Sequence, residues 1–383
     1  MYSYTIIERV KTETIHEKLH NFDEHTGKRN IVKLVVDDSF DFVMAGIEAI
    51  IDDQITKSFR AEELASWNLL TRTSFTYTHI NWKLTFLWIA GFLFRYFFLF
   101  PIRFVTFFVG FSLMALLTFI IGFIPNKRIK SFLNHHAMCM CMRILARSIS
   151  AIIRFKNREN RAVKSGICVA NHTSPTDVLI LSCDNCYAMI GQRQEGMLGL
   201  MQQLLSRSAD HIWFERTEAN DRRKVIQRLQ DHVDDPNKLP ILIFPEGTCI
   251  NNTSVMMFKK GSFEVVGSTI YPIAMKYDSR LGDAFWNSSE QSYGEYLFQM
   301  MTSWAITCDV WYLPAISRMD GESAIDFARR VKHTIAEKGG LVDLEWDGQL
   351  KRTKVPPKLI AEHQRLYWGY LSNLASFSGS SES

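Results

Sequence analysis

The sequence predicts an α/β domain with a mixed, largely parallel sheet, preceded by a membrane helical hairpin. Two observations carry this prediction. From about residue 160, short apolar runs alternate with helix-like stretches, a pattern typical of strands and helices built around a largely parallel sheet. Before that point, twelve of the 27 Phe residues fall between Leu84 and Ile124, where Arg95 and Arg103 are the only charged residues. A chain that is 22% charged overall therefore contains one strongly apolar segment.

Overall charge and cysteine content limit the class of protein. The chain has 383 residues and a formal net charge of +4, and no long basic block favours nucleic-acid binding. This mild positive charge suits an anionic membrane surface or a phosphate-bearing substrate. Seven Cys residues, an odd number, favour reduced thiols facing the cytosol over a disulfide framework. No apolar signal-peptide run opens the sequence, so we expect an internal segment to insert into the membrane.

Changes in composition divide the chain into five predicted regions. They are an N-terminal cytosolic helical region (1–80), a membrane hairpin (81–126), an amphipathic membrane-surface helix (127–160), an α/β domain (161–360), and a helix end with a disordered tail (361–383). In the first region, apolar residues at helical spacing predict helices over 40–59 and 61–70, the former beginning near Ser39 or Asp41.

Two apolar stretches make up the predicted hairpin. Residues 104–124 carry no charge and would span about 30 Å as a helix, the thickness of the hydrocarbon core. Residues 84–100 are shorter and contain one arginine, so their length is marginal for a span. A buried core helix is the alternative for either stretch, and a re-entrant segment is the competing topology. Pro101 and Arg103 separate the two stretches. Positive charges flank both outer ends, which favours a cytosolic position for both, and Arg95 and Arg103 are expected to reach the far interface.

Strands and helices alternate after the hairpin. Arginines at intervals among Ile and Leu predict an amphipathic helix over 132–155. In the α/β domain, strands are expected at 167–170, 241–244 and 270–275, and helices at 176–182, 222–232 and 325–338. No internal repeat interrupts this order.

His172 and Asp177 form the most informative motif. A short buried strand ends at Asn171, and Ser174, Pro175 and Asp177 have the features of a helix N-terminus with cap, first position and third-position acid. His172 would then lie in the loop just before the helix that carries Asp177. A carboxylate that accepts a hydrogen bond from one imidazole nitrogen leaves the other as a base. Alone, this spacing is also compatible with a histidine that only caps a helix.

Two further motifs carry groups suited to binding an anionic substrate. Arg216 follows the apolar run that contains Phe214, and a guanidinium is a natural phosphate ligand, although a surface arginine is the alternative. Glu246 and Gly247 end a predicted strand, where α/β proteins bind ligands, or form an ordinary turn. Lys260 lies just before Gly261 and adds a cation.

Pro272 belongs to a fourth motif, an apolar strand. Because proline lacks the N–H that a ladder needs, we expect this strand at an edge or a bulge. The Cys183–Cys186 spacing is compatible with metal binding but has no second such pair, and helical geometry would scatter His135 and His136 from Cys139 and Cys141. No metal site is therefore assigned.

In this order and spacing, the four motifs resemble those of the glycerolipid acyltransferase superfamily. Longer stretches, at 61–73, 244–263, 284–289 and 300–306, look like the microsomal glycerol-3-phosphate acyltransferases of the type 3 and type 4 group. The resemblance covers residues from about 35 to 360. It implies an α/β acyltransferase domain in the endoplasmic reticulum membrane, with the catalytic domain facing the cytosol.

The resemblance also implies a reaction. His172, oriented by Asp177, would be the general base on the sn-1 hydroxyl of glycerol 3-phosphate, which would attack a long-chain acyl-CoA thioester to give lysophosphatidic acid. This is the first step of phospholipid and triacylglycerol synthesis. The partners would be glycerol 3-phosphate, long-chain acyl-CoA and the lipid bilayer, with no nucleic acid. Acyl-CoA is a co-substrate, and no cofactor or metal is expected.

Substrate-binding roles follow from the same resemblance. Arg216 would hold the phosphate, with Phe214 in the same motif. Glu246, Gly247 and Pro272 would line the substrate site. The role of Lys260 as a second phosphate-binding cation is our own inference from its position. The wider superfamily often has an arginine after Glu-Gly-Thr, whereas Cys249 stands here, so that arginine's role does not carry over.

Two other functions remain open at this point. The same base could acylate a lysophospholipid such as 1-acylglycerol 3-phosphate. A membrane-anchored scaffold with an inactive acyltransferase fold is the second alternative, which the presence of His172, Asp177, Arg216 and Glu246 disfavours. A channel or transporter is disfavoured further, because at most two spans precede a large polar domain.

Overall fold

The structure is a computed structural model that describes residues 55–62, 81–163, 165–193, 195–214, 222–265 and 267–351, with single positions at 39, 43, 46, 357, 358, 361 and 365. Residues Ser58–Lys351 form one compact unit, to which all elements below belong. The predicted helices over 40–59 and 61–70 lie largely outside the described residues, and so does the predicted disordered tail.

Eight α-helices and nine strands make up the described part of this unit. The helices are α1 (Trp82–Leu93), α2 (Phe100–Gly122), α3 (Lys127–Arg147), α4 (Thr176–Ser182), α5 (Gly196–Ser208), α6 (Arg222–Val233), α7 (Tyr293–Thr302) and α8 (Ala324–Gly339). The strands are β1 (Ala151–Lys156), β2 (Ile167–Ala170), β3 (Ala188–Gln192), β4 (Ile212–Phe214), β5 (Ile241–Ile243), β6 (Ser254–Val255), β7 (Ile270–Asp278), β8 (Ile306–Tyr312) and β9 (Val342–Asp343).

Seven strands form one sheet in the order β1-β8-β7-β2-β5-β3-β4. All neighbouring pairs are parallel except β7 and β8, which are antiparallel. This confirms the predicted mixed, largely parallel sheet. The predicted strand 167–170 and helix 176–182 have the observed bounds, whereas the strand from Ile270 runs on to Asp278.

Helices cover both faces of the sheet. Successive side chains of β2 enter two different hydrophobic clusters: Cys168 and Ala170 join one, and Ile167 and Val169 join the other. Because side chains alternate across a strand, this division means that both faces of β2 are buried. A continuous apolar run without alternation is the expected sequence of such a strand, and it is what made β2 recognisable.

The predicted hairpin is wrong, because Trp82–Gly122 is one continuous helix of 41 residues. α1 continues directly into a π-helical segment (Phe94–Leu99), and this segment continues directly into α2. No loop separates the three. Pro101 lies in the first turn of α2. A proline is tolerated there because the π-helical turn before it already changes the hydrogen-bonding pattern that its ring would disrupt. We call residues Trp82–Gly122 the apolar helix.

The apolar helix has the composition of a membrane segment. Its best window has a mean hydropathy of 2.4, and only 22% of that window is buried. Large side chains such as Phe86, Phe97 and Phe123 are exposed. A core helix of a water-soluble domain would bury this surface. The exposure therefore favours membrane association, and by length and composition the helix could cross a bilayer.

Arg95 and Arg103 do not extend toward a membrane interface, contrary to the sequence-based expectation. They are 5% and 3% exposed. Both guanidinium groups donate to carbonyl oxygens of residues 301–304, at the end of α7 and in the loop that follows it, and Arg103 also donates to Ser150 Oγ. The two arginines therefore attach the middle of the apolar helix to the α/β domain.

The predicted amphipathic helix over 132–155 is correct only as far as Arg147. Ser150 has a φ of 47°, which ends the helical path, and β1 begins at Ala151. Exposure alternates along β1, as expected of an edge strand. Arg154 lies opposite Asp309 of β8 and forms a bidentate ion pair with it at 2.6 and 2.9 Å. Arg154, one of the arginines that suggested the polar face of a helix, therefore belongs to a pair of strands.

Pro272 is not at a sheet edge as predicted, because β7 is an interior strand between β2 and β8. Pro272 pairs with Val169 of β2, and its carbonyl oxygen accepts from the N–H of Leu313. The antiparallel ladder with β8 begins only at the next residue, Ile273. Pro272, which has no N–H, thus lies just beyond the residues of β7 that pair with β8, so no hydrogen bond between these two strands is lost.

Candidate active site

The candidate active site lies at the carboxyl ends of β2 and β5, which are adjacent in the sheet. His172 follows β2 by two residues, and Glu246 follows β5 by three. Parallel strands end at the same edge of a sheet, where α/β proteins place their binding and catalytic groups. Two motifs that are 74 residues apart in sequence are thereby brought together.

Asp177 orients the His172 imidazole as the sequence predicts. Asp177 Oδ2 lies 2.8 Å from His172 Nδ1 and also accepts from the backbone N–H groups of Thr173 (2.7 Å) and Ser174 (3.0 Å). α4 begins at Thr176, and Pro175 rather than the predicted Ser174 occupies its N-cap position. Because Nδ1 donates to a carboxylate, Nε2 is the nitrogen left to act as a base.

Tyr277 is a second partner of Asp177, and the sequence analysis missed it. The Tyr277 hydroxyl, on β7, donates to Asp177 Oδ1. Burial, together with the Asp177 charge, raises the pKa of Tyr277, so its hydroxyl remains a donor. Asp177 is fully buried, and these hydrogen bonds hold its carboxylate in one orientation. No local pattern could have indicated Tyr277, because it lies a hundred residues away from Asp177.

Two residues that flank the Glu246-Gly247-Thr248 sequence, Phe244 and Cys249, contact the imidazole of His172. Its ring stacks on Phe244 with the centroids 4.2 Å apart, and Cys249 Sγ lies 3.5 Å from Nε2. The side chain keeps 17% exposure, so the base can be reached from outside. Burial acts to lower the pKa of His172, but Cys249 and Asp177 together raise it above its ordinary value.

Glu246 binds backbone groups rather than pointing into an open site. Its two carboxylate oxygens accept from the N–H groups of His172 (2.8 Å) and Met256 (2.9 Å), and the residue is 1% exposed. Burial raises the pKa of Glu246 to about 8, although the two backbone donors oppose the shift. The contacts suit a group that positions His172; the predicted direct contact with substrate stays a prediction.

Lys259 lies closer to the motif than Lys260. A Cβ placed on Gly247, which has a φ of 70°, would lie 3.0 Å from Lys259 Nζ. Lys260 Nζ instead pairs with Glu264 at 2.7 Å, one helical turn along the chain. The predicted role of Lys260 stays a prediction, and the structure adds Lys259 as a candidate cation beside Gly247.

The remaining predicted residues lie at different distances from His172. Phe214 ends β4 at the same edge of the sheet, but three strand positions from β2, about 14 Å away. Arg216 lies outside the described residues. Pro272 lies within β7 beside β2. The geometry thus groups His172, Asp177 and Glu246 closely and leaves the substrate-binding roles as predictions.

Comparison with known proteins identifies the class to which this fold and site belong. The family model described as Acyltransferase matches residues 152–276, which include His172, Asp177, Glu246 and Pro272. A solved structure, the 1-acyl-sn-glycerophosphate acyltransferase of Thermotoga maritima, aligns with 66% of this chain and 95% of its own at 14% identity and a TM-score of 0.46. The family model, together with the curated relatives described next, identifies the chain as an acyltransferase.

Curated relatives show to which acyltransferase family the chain belongs. Glycerol-3-phosphate acyltransferase 3 of Danio rerio is 54% identical over 339 residues, covering 88% of this chain and 75% of the relative. Glycerol-3-phosphate acyltransferase 4 of Homo sapiens is 54% identical over 338 residues, covering 88% and 74%. The chain therefore belongs to the glycerol-3-phosphate acyltransferase family, in the group of types 3 and 4.

Proposed function

We propose that the chain transfers the acyl group of long-chain acyl-CoA to the sn-1 hydroxyl of glycerol 3-phosphate, releasing CoA and lysophosphatidic acid. The observation that carries the proposal is the Nδ1–Asp177 hydrogen bond of His172 in a chain of this family. It leaves Nε2, which lies 3.5 Å from Cys249 Sγ, as the nitrogen that can act as a base, in a side chain that is 17% exposed. The product feeds glycerolipid synthesis.

His172 performs the proton transfer of this reaction. Nε2 removes the proton of the acceptor hydroxyl as its oxygen attacks the activated acyl carbon, and the Asp177 carboxylate stabilises the imidazolium that forms. The proton then passes to the departing sulfur. A thioester needs no further activation by a metal, so the groups on this chain are sufficient for the chemistry.

The proposed location is the endoplasmic reticulum membrane, with the site facing the cytosol. The exposed apolar surface of Trp82–Gly122 supports attachment to a bilayer. All seven cysteines are free thiols, which suits a reducing compartment. Attachment to a bilayer also suits the product, because burying an acyl chain in lipid contributes about 0.8 kcal/mol per CH₂.

The acceptor assay tests the proposed function directly. The purified full chain is given labelled oleoyl-CoA with either glycerol 3-phosphate or lysophosphatidic acid. We expect labelled lysophosphatidic acid from the first acceptor. Product from the second acceptor only would replace the proposal by lysophospholipid acylation, and product from neither would favour an inactive scaffold.

Lys259 is expected to bind the substrate phosphate more strongly than Lys260. Lys259→Ala should raise the KM for glycerol 3-phosphate by about tenfold, the effect of losing roughly 1.4 kcal/mol from one charge-assisted contact. Lys260→Ala is the matched control, because its ammonium is already paired with Glu264. Steady-state kinetics at varied glycerol 3-phosphate separates the two. A larger KM change in the Lys260 variant would reverse the assignment.

The pH dependence of the rate should report the raised pKa of His172. His172 acts as a base only when neutral, so kcat/KM rises as the pH rises through this pKa, and the midpoint should lie above 6.5. Asp177→Asn removes one of the groups that raise the pKa, so the midpoint should move to lower pH while the rate falls. The measurement is a pH–rate profile of both proteins.

Glu246 needs a control in this experiment, because its pKa of about 8 falls in the same pH range. In Glu246→Gln, the acidic limb should remain if His172 causes it. Loss of the limb in this variant, with no shift in Asp177→Asn, would assign the titration to Glu246 instead.

A further inference from the structure

Lys351 brings a cation to the turn that follows β5, residues 246–250, which we call the β5 turn. Its Nζ lies 3.5 Å from the carbonyl oxygen of Cys249, and Cys249 Sγ lies 3.5 Å from His172 Nε2. One residue therefore contacts both the ammonium and the nitrogen that can act as the base. We propose that Lys351 binds the phosphate of glycerol 3-phosphate while His172 acts on its hydroxyl. This rests on the proposed function and deepens it.

The backbone that carries Lys351 is attached to the segment that follows the β5 turn. Strand β9 pairs in parallel with β6. A few residues later, the carbonyl oxygen of Trp346 accepts from the N–H of Met257 at 2.8 Å. Residues 348–351 then form a 3₁₀ turn that ends at Lys351. The position of this lysine is thus set by strand pairing and by a backbone hydrogen bond.

Gly348 allows the 3₁₀ turn to approach the β5 turn closely. A Cβ placed on Gly348 would lie 2.5 Å from Thr248 Cγ2 and 3.3 Å from the Glu246 carbonyl oxygen. Only a residue without a side chain fits at such a distance. Residues three apart lie on the same face of a 3₁₀ turn. Lys351 therefore extends from the face that packs on the β5 turn.

Phe285 contacts the same ammonium from a second segment of the chain. The centroid of its ring lies 5.2 Å from the ammonium nitrogen, within the range of a cation–π interaction. The next residue, Trp286, donates its N–H to the carbonyl oxygen of Thr173 at 3.5 Å, and Ile250 of the β5 turn donates to that of His172 at 2.8 Å. Both segments that contact the ammonium therefore also contact the loop that carries the base.

A cation at this place suits the acceptor substrate. The phosphate and the sn-1 hydroxyl of glycerol 3-phosphate lie at opposite ends of a three-carbon chain, so the group that binds the phosphate has to lie near the base. The β5 turn itself contains no basic residue. Lys351 is half-buried, so solvent weakens its attraction for a phosphate less than it would at a fully exposed site. With Lys259 beside Gly247, two ammonium groups lie next to this turn.

The phosphates of acyl-CoA fit this place less well. The pantetheine arm separates them from the thioester carbon, which has to lie close to the attacking hydroxyl and hence to His172 Nε2. A cation that lies one residue from this nitrogen is therefore better placed for the phosphate of the small acceptor.

The decisive variant is Lys351→Met, which removes the charge and keeps an apolar stem beside Phe285. In the purified full chain, its KM for glycerol 3-phosphate should rise by about tenfold, the effect of losing one charge-assisted contact. Its KM for oleoyl-CoA should stay within about twofold of the wild-type value. The loss should fall on KM more than on kcat, because the phosphate is bound alike in the ground state and the transition state. Lys351→Arg keeps the charge and should recover most of the affinity.

Two further measurements report phosphate binding. Inorganic phosphate should inhibit the wild type in competition with glycerol 3-phosphate, and its inhibition constant should rise by about tenfold in Lys351→Met. Without acyl-CoA, glycerol 3-phosphate should raise the melting temperature of the wild type more than that of the variant, because a bound ligand stabilises the folded state. Lys338→Ala, which removes an exposed lysine of α8, is the matched control and should behave as the wild type throughout.

The outcomes contradict different statements. Equal KM values and equal inhibition by phosphate in the wild type and Lys351→Met would overturn the role of Lys351. A rise in the KM for oleoyl-CoA alone would overturn it too, and would assign the ammonium to the phosphates of CoA. A lower melting temperature without ligand, with both KM values raised together, would reduce Lys351 to a part of the fold. Failure of the wild type to acylate glycerol 3-phosphate would instead overturn the proposed function, and the melting-temperature shift would still test Lys351.

Discussion

His172→Ala is expected to lower acyl transfer to glycerol 3-phosphate by about 10³–10⁴-fold, the upper part of the range for a general base. Asp177 holds Nδ1 of this imidazole, and Nε2 lies beside Cys249. Among the described residues, no other histidine has this arrangement. Alanine removes this base without adding a group that could replace it. The rate is measured with labelled oleoyl-CoA at saturating acceptor.

A surface histidine provides the control for this prediction. His333, on α8, also pairs with an aspartate, Asp343, at 3.1 Å, but its side chain is 70% exposed. His333→Ala should therefore retain full activity, because it removes a similar pair outside the site. Both variants should be recovered from the membrane fraction in the wild-type amount. Activity above about a tenth of the wild type in His172→Ala would contradict its role as the base.

Arg103→Ala is expected to give the largest loss of stability, about 3 kcal/mol or more. The buried guanidinium donates to carbonyl oxygens within residues 301–304 and to Ser150 Oγ, and alanine would leave these acceptors without their donor. Buried acceptors without partners each lose the full free energy of hydration. In detergent, the melting temperature should fall by roughly 5–10 °C.

Arg128 is a suitable control for charge, since it is exposed in the first turn of α3. Arg128→Ala removes the same positive charge and should leave the melting temperature nearly unchanged. Arg103→Lys should recover only part of the loss, because one ammonium cannot reproduce the forked geometry of several guanidinium donors. Equal melting temperatures for Arg103→Ala and Arg128→Ala would contradict this account.

Sequence reasoning predicted the parts of the fold whose patterns are local. β2 and α4 were located to the residue because a short apolar run ends just before a proline-initiated helix. The prediction of a hairpin was wrong because it took Pro101 as the end of a helix, which is the usual effect of a proline. The π-helical segment that accommodates Pro101 has no recognisable pattern in the sequence. β1 was mistaken for helix because its edge position depends on pairing with a strand 155 residues away.

In the candidate active site, too, the sequence predicted the local motif and missed the contacts between distant residues. The short His-x4-Asp spacing identified His172 and Asp177, since both belong to one loop and one helix turn. Tyr277 and Cys249 were not assigned there, because their contacts arise from sheet order and from the turn after β5. Lys259 and Lys260 are adjacent in sequence, and only the backbone direction decides which ammonium lies beside Gly247.

The attachment of the apolar helix by Arg95 and Arg103 bears on how the enzyme responds to bilayer thickness. The complete helix is about 60 Å long, twice the hydrocarbon core. A free helix of this kind adapts to a thinner or thicker bilayer by tilting. Here hydrogen bonds to residues 301–304 fix the helix to the α/β domain near its middle, so tilting would carry the whole domain with it. In a bilayer-spanning arrangement, hydrophobic mismatch would therefore act on the orientation of the active site as well as on the apolar helix.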